Sequence, residues 1–154
     1  MDDTVANVRG KKILITGAAQ GIGEAAARLC AARGAEVFLV DVKADAGEAV
    51  AASIREEGGQ ATFYALDGRV DADVQALFAH LGETHGYLDV LICAAGVLQG
   101  AFLQPEEFPV DVFDFVMEVN VRGTFLCTKY ATPLIAKSSR GVMILIASGA
   151  GVIG

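Results

Sequence analysis

Three glycines near the start of the sequence stand where a strand runs into a helix, at a spacing suited to binding a pyrophosphate. The apolar run before Gly17 predicts a strand, and the alanine-rich run after Gly23 predicts a helix. Gly17, Gly21 and Gly23 lack the Cβ atoms that would keep an anion away. The first N–H groups of the helix, with the positive end of its dipole behind them, attract such an anion. We therefore predict a dinucleotide-binding turn, to which Gln20 and Ile22 also belong.

An acidic residue, Asp41, ends the second predicted strand. A dinucleotide fold places an acid there to accept hydrogen bonds from the ribose hydroxyls of the adenosine half, and its charge would repel a 2′-phosphate. The turn offers Ala18, Ala19 and Gln20 rather than a cation that could neutralise such a phosphate. NAD is therefore the predicted cofactor in preference to NADP, with Lys43 as a nearby cation that weakens the argument. The alternative is that Asp41 is a helix N-cap.

The elements that must position these residues alternate between strand and helix along the chain, a pattern that predicts a parallel sheet with right-handed crossovers. We expect strands at 12–16, 36–40, 61–66, 88–94 and 142–147, and helices at about 22–33, 43–57, 71–84 and 111–138. The predicted fold is α/β, a Rossmann-like doubly wound parallel sheet with strand order 3-2-1-4-5. Its crevice should lie at the carboxyl ends of strands one and four.

Composition excludes several classes of protein. The 154 residues are expected to form one domain, and 53% hydrophobic against 20% charged residues excludes a disordered chain. A net charge of −7 without a basic run argues against nucleic acid or an anionic membrane surface as a partner. The sequence has neither a membrane-length apolar run nor the basic start of a signal peptide, so we expect a cytoplasmic location.

The cysteines and histidines do not have the spacing of a metal site. Cys30, Cys93 and Cys127 are each set in an apolar pattern, which predicts buried thiols in a reducing compartment. His80 and His85 lie five residues apart on a predicted helix and are expected at the surface. We therefore predict no metal and no disulfide framework.

The pattern Thr-Gly-x-x-x-Gly-x-Gly at residues 16–23 resembles the motif of the short-chain dehydrogenase/reductase family. The resemblance extends over essentially all of the chain. It implies an NAD-dependent oxidoreductase that transfers hydride between a nicotinamide cofactor and an alcohol or carbonyl substrate, in a homodimer or homotetramer. The alternative is a non-catalytic dinucleotide-binding or interaction module that keeps the glycine turn and Asp41.

The resemblance also assigns cofactor contacts further along the chain. Asp67, after the third strand, resembles the family acid that contacts the adenine amino group, although a turn residue beginning the next segment is the alternative. Ala95 and Gly96 match the end of the family's Asn-Asn-Ala-Gly segment, which implies a small, flat surface for the nicotinamide and its ribose. Both asparagines of that segment are replaced here, by Cys93 and Ala94.

Two residues are implied in catalysis. Asn120 lies in a helical segment that resembles the family's, where an asparagine holds a water in the proton relay; the alternative is a core asparagine bonded to backbone. Ser148, after the fifth strand, is similar to the family serine that hydrogen-bonds the substrate oxygen as hydride moves. An ordinary loop serine is the alternative.

The family's Tyr-x-x-x-Lys pair does not occur in these residues, because none of Tyr64, Tyr87 and Tyr130 has a lysine four positions later. We expect that the chain is the amino-terminal part of a longer enzyme. By itself it should be inactive and poorly soluble, since the apolar fifth strand would form an exposed sheet edge.

Overall fold

Five parallel strands form one sheet with helices on both faces in the computed structural model, which describes residues 7–101 and 103–149. The strands are β1 (Lys12–Thr16), β2 (Glu36–Asp41), β3 (Gln60–Ala65), β4 (Val90–Cys93) and β5 (Val142–Leu145). The helices are α1 (Gly21–Ala32), α2 (Ala44–Glu56), α3 (Asp71–His85), α4 (Val110–Met117) and α5 (Thr124–Ile135), with a 3-10 turn at Pro105–Glu107 and a π-helical turn at Glu118–Gly123. The strand order β3-β2-β1-β4-β5 confirms the prediction.

The single helix expected over 111–138 is divided in the structure. The π-helical turn separates α4 from α5, and at the start of α5 the Thr124 hydroxyl donates a hydrogen bond to the Asn120 carbonyl of this turn at 2.9 Å. Turns of this kind insert one residue into a helix and occur often at functional sites. The helix also ends earlier than expected, at Ile135, after which the Lys137 and Ser138 N–H groups donate to the carbonyls three residues back, those of Leu134 and Ile135.

Side chains that alternate along each strand build one apolar core on each face of the sheet. Leu14 packs with residues of α3 and α5, whereas Ile13 and Ile15 pack with residues of α1 and α2. A strand buried on both faces requires apolar residues at successive positions, which accounts for the unbroken apolar runs of the sequence. The packing is that of the predicted doubly wound α/β fold.

Strand β5 lies at one edge of the sheet within the described ranges and pairs there with β4. Its register sets Val142 opposite Val90 and Leu145 opposite Cys93. The side chains of Val142, Ile144, Leu145 and Ile146 are between 43% and 50% exposed. Among the described residues, the edge strand β5 is thus apolar and about half exposed.

Two predictions about single residues are corrected. Cys30 is only partly buried, because it lies toward the margin of the α1 face that packs on the sheet, while the other two cysteines are buried as expected. His80 is exposed, but His85 is half-buried because its ring packs on Phe38 at 4.6 Å between centroids. Within residues 7–101 and 103–149 no cluster of histidine, cysteine and acidic side chains could hold a metal ion. None of the helices described there is long and apolar enough to cross a membrane.

Candidate functional site

A cleft of about 520 Å³ opens at the carboxyl ends of β1 to β4. Parallel strands deliver the loops that follow them to the same edge of a sheet, so residues distant in sequence meet there. Eight of the predicted site residues line the cleft: Gly17, Gln20, Gly21, Ile22, Asp41, Asp67, Ala95 and Gly96. Three others do not line it: Gly23, Asn120 and Ser148.

The glycine turn brings three stretches of backbone into close contact. Gly17 has a φ of +67°, and a Cβ there would lie 2.7 Å from the Ala95 Cα. A Cβ on Gly23 would overlap the Gly17 carbonyl. Among the described residues no side chain caps α1 at Gln20, which leaves the first N–H groups of the helix open to a ligand. This cradle suits an anion that approaches the backbone closely.

Asp41 connects the end of β2 to the glycine turn. One carboxylate oxygen accepts a hydrogen bond from the Ala19 N–H at 3.0 Å, and the other accepts from the Lys43 N–H at 3.0 Å. The second bond is a local turn before α2 rather than a cap of that helix, whose N-cap is Lys43 itself. The Lys43 ammonium donates to Gln20 Oε1 at 2.6 Å across the mouth of the cleft.

Asp67 is paired with Arg69, a cleft residue that the sequence analysis missed. The Arg69 guanidinium donates to both carboxylate oxygens, with Nη2 at 2.7 Å and Nε at 3.0 Å. Hydrogen bonds from the Arg69 side chain, against the opposing effect of burial, hold the pKa of Asp67 below its ordinary range. The sequence feature that could have indicated this pair is an arginine two residues after an aspartate in a glycine-containing turn.

Small residues line the cleft beside β4, and a hydrogen bond to β1 holds their loop in place. The Ala95 N–H donates to Thr16 Oγ1 at 3.2 Å, which joins the loop after β4 to the end of β1.

Cys127, a second residue that the sequence did not indicate as a cleft residue, lines the cleft. Its hydrogen bond with Cys93 and its burial both raise the pKa of Cys127, so this thiol stays protonated.

Asn120 holds the loop that follows β4 against the π-helical turn. Its Oδ1 accepts a hydrogen bond from the Val97 N–H at 2.8 Å, and its Nδ2 donates to the Val97 carbonyl at 2.9 Å. A Cβ on Gly96 would lie 3.5 Å from the same Oδ1. Asn120 is therefore bonded to backbone, as its alternative interpretation expected, and it supports the loop that carries Ala95 and Gly96.

We predict that Asn120→Asp lowers the free energy of unfolding by about 1–2 kcal/mol, because the Nδ2 donor becomes an oxygen that faces the Val97 carbonyl. Urea unfolding at pH 7 measures the change. Gln99→Glu is the matched control, since it introduces the same charge at an exposed position of the same loop. Equal stabilities of the two variants would show that the paired hydrogen bonds contribute nothing.

Ser148 is exposed and follows β5 at the carboxyl edge of the sheet. The pairing of the two strands continues just before it, since the Ile146 N–H donates to the Cys93 carbonyl at 3.0 Å. The structure thus places Ser148 on the β5 side of the same edge that carries the cleft.

Comparison with known proteins identifies one family. The model of the short chain dehydrogenase family matches residues 11–154. A protein described as an uncharacterized oxidoreductase from Thermotoga maritima is 39% identical over 148 residues, which are 96% of this chain and 57% of that protein. A 2,5-dichloro-2,5-cyclohexadiene-1,4-diol dehydrogenase from Sphingobium indicum is 38% identical over 97% of this chain and 59% of its own length.

Solved structures give the same result. A short chain dehydrogenase from Shigella flexneri, crystallised with NADP, superposes with a TM-score of 0.90 and 32% identity over 96% of this chain and 63% of that one. The chain therefore spans less than two thirds of the length of these relatives.

Proposed function

This chain belongs to the short-chain dehydrogenase family, and on that premise we propose that its protein transfers hydride between a nicotinamide cofactor and an alcohol or carbonyl substrate. We further propose that NAD is the preferred cofactor. The observation that carries the proposal is the close backbone packing at Gly17 and Gly23, which a Cβ at either position would force apart.

We propose a place along the strand order for each part of a dinucleotide. The pyrophosphate lies at the turn after β1, where Gly17, Gly21 and Gly23 admit it and Gln20 and Ile22 flank it. The adenosine ribose lies at the end of the neighbouring strand β2, and the nicotinamide lies toward β4 on the other side. When bound, the cofactor supplies or accepts the hydride at its nicotinamide ring.

The residues on the β4 and β5 side hold that ring and the substrate. Ala95 and Gly96 are small and exposed, so a flat ring can lie against them. The Ser148 hydroxyl donates a hydrogen bond to the substrate oxygen and so stabilises the charge that develops there. Asn120 remains the proposed holder of a relay water. Since both ends of its side-chain amide are bonded to Val97, we assign that water to the second lone pair of its backbone carbonyl, the first of which accepts from the Thr124 hydroxyl.

The preference for NAD rests on Asp41. Its carboxylate lines the cleft, and each of its two oxygens accepts one hydrogen bond from a backbone N–H. Each oxygen therefore keeps a lone pair that can accept from a ribose hydroxyl. A 2′-phosphate there would meet a like charge. Lys43 could offset that charge, but its ammonium is bonded to Gln20. The relative from Shigella flexneri was crystallised with NADP, so the cofactor has to be tested on this protein directly.

We expect NADH to bind more tightly than NADPH. Asp41→Asn should lower the affinity for NADH by about tenfold and leave the affinity for NADPH unchanged or higher. Fluorescence titration of the reduced nicotinamide measures both affinities. Asp45→Asn is the control, because it removes an exposed negative charge in the nearby first turn of α2. A native protein that prefers NADPH would contradict the NAD proposal, and absence of binding to either cofactor would contradict the whole function.

Catalysis separates this proposal from a non-catalytic binding module. We expect the 154 residues alone to bind NADH without oxidising alcohols, because they contain no Tyr-x-x-x-Lys pair to move the proton. Steady formation of NADH from NAD and an alcohol by these residues alone would contradict that expectation.

We also propose that the protein is a homodimer or homotetramer. The α4–α5 segment exposes an apolar stripe at steps of three or four residues: Val110, Phe113, Met117, Val121 and Phe125, each 41% to 72% exposed. Sedimentation equilibrium of the native protein tests this, and a monomer at micromolar concentration would contradict it.

A cytoplasmic location stays a proposal, supported by the three free cysteines and testable by cell fractionation.

A further inference from the structure

The Asp67–Arg69 pair occupies the part of the cleft where the base of a dinucleotide must lie. The sheet order runs from β1 through β2 to β3, so a ligand with its pyrophosphate at β1 and its ribose at Asp41 brings its base to the loop after β3. That loop lines the cleft with Leu66, Asp67, Gly68 and Arg69. This placement rests on the function proposed above.

The pair is held by more contacts than an ordinary surface ion pair. Besides the forked bond to both carboxylate oxygens, the Arg69 N–H donates to Asp67 Oδ1 at 3.0 Å. The guanidinium lies 5.1 Å from the centre of the Phe115 ring, and Nη1 lies 3.5 Å from Glu118 Oε2. The Arg122 guanidinium donates to the Arg69 carbonyl at 2.7 Å. Both partners are about one third exposed, and a forked geometry within a network is the case in which such pairs persist.

Pairing changes what the base subsite can recognise. A free carboxylate accepts a hydrogen bond from a 6-amino group, as in adenine, and repels a 6-oxo group, as in hypoxanthine. Here both carboxylate oxygens already accept from Arg69, while the guanidinium retains N–H donors on Nη1 and Nη2. The pair therefore presents donors and acceptors together, with no net charge.

We propose that the Asp67–Arg69 pair makes the base subsite tolerant of the group at purine position 6, so that the protein binds hypoxanthine dinucleotides nearly as well as adenine dinucleotides. Arg69 is then a specificity-determining residue. It acts by adding N–H donors beside the carboxylate, which alone would select the amino group, and by neutralising the charge of that carboxylate.

The experiment compares NADH with reduced nicotinamide hypoxanthine dinucleotide, which differs from it in the base alone. Fluorescence titration gives a dissociation constant for each. We expect the native protein to bind the two within about threefold of each other. Arg69→Ala frees the carboxylate and should widen the preference for NADH to about tenfold or more. Arg69→Lys, which keeps a charge but loses the fork, should fall between them.

Arg33→Ala is the matched control, because it removes an exposed arginine at the far end of α1. It should leave the ratio unchanged, and circular dichroism establishes that each variant is folded. A native protein that prefers NADH by tenfold or more overturns the inference and leaves the proposed function intact. Unchanged ratios in both Arg69 variants also overturn it. Failure of the native protein to bind either dinucleotide overturns the proposed function and this inference with it.

Discussion

Gly23→Ala is expected to raise the dissociation constant for NADH by about 100-fold or more. The new methyl group would overlap the Gly17 carbonyl and approach the Ala18 Cα to 3.1 Å. Both are backbone atoms, so neither can rotate away, and the turn has to separate from the start of α1. The N–H groups that we propose as the pyrophosphate site then no longer converge. Overpacking of this kind should also lower the free energy of unfolding by about 1–3 kcal/mol.

Gly58→Ala separates loss of stability from loss of binding. Gly58 has a φ of +86° and lies before β3, away from the cleft, and a Cβ there meets no atom within 4 Å. It should therefore cost about 1–2 kcal/mol of backbone strain and leave the affinity for NADH unchanged. Nicotinamide fluorescence gives the affinities and urea unfolding gives the stabilities. Native-like NADH binding by Gly23→Ala would show that the cradle is not where the pyrophosphate lies.

Asp89→Ala is expected to lower the free energy of unfolding by about 3 kcal/mol. Asp89 is 3% exposed, and its carboxylate joins three segments. It accepts from the Lys12 N–H at 3.0 Å, from the Lys11 ammonium at 3.0 Å and from the Ser138 hydroxyl at 2.6 Å. Removal leaves three part-buried donors without this acceptor. Asp114→Ala, at an exposed position of α4, should change stability by less than about 0.5 kcal/mol.

The contribution of Asp89 should depend on pH in a defined direction. Burial tends to raise the pKa of this carboxyl, but hydrogen bonds from Ser138, the Lys12 N–H and Lys11, with the charge of Lys11, bring its pKa below the ordinary value. The unfolded chain therefore takes up the proton first as pH falls. The stabilisation is present above about pH 4 and is lost as pH falls through the folded-state pKa.

Urea unfolding between pH 3 and pH 7 measures this, with Asp89→Asn as the variant that cannot titrate. The difference in stability between the native protein and Asp89→Asn should shrink toward acid pH. A difference that stays constant over that range would contradict the assignment of the stabilisation to the charged carboxylate.

The fold was predictable because its signals are local. Apolar strands alternate with amphipathic helices. Gly34 and Gly58, which follow the ends of α1 and α2, have the positive φ that is common just after a helix. The π-helical turn was not predictable, because the helical pattern of the sequence continues through it. The hydrogen bonds from Asn120 to Val97, 23 residues away, lie at this turn. β4 and β5 are shorter than the apolar runs that predicted strands at 88–94 and 142–147, since they span only Val90–Cys93 and Val142–Leu145.

Some residues of the candidate site could likewise be predicted from the sequence, whereas others required the tertiary structure. Short-range spacing identified the glycine turn, and a single acid at the end of a strand identified Asp41, because both depend on the backbone that carries them. The pairing of Asp67 with Arg69 was missed, although only one residue separates them, since a turn's side-chain directions are fixed by its tertiary neighbours Phe115 and Glu118. The half-burial of His85 was missed for a similar reason, its contact with Phe38.

The sequence by itself therefore determined the α/β class from its periodicity and the strand order from the glycine turn that follows the first strand. It also indicated the close backbone approach at Gly17 and Gly23, because both residues lack a Cβ atom. Only the tertiary structure decided which polar groups are already engaged. In the folded protein the Asn120 side-chain amide is hydrogen-bonded to Val97, and the Asp67 carboxylate is hydrogen-bonded to Arg69. Whether a group remains available to a ligand depends on the partners that folding brings within hydrogen-bond distance, and such partners have no fixed spacing in sequence.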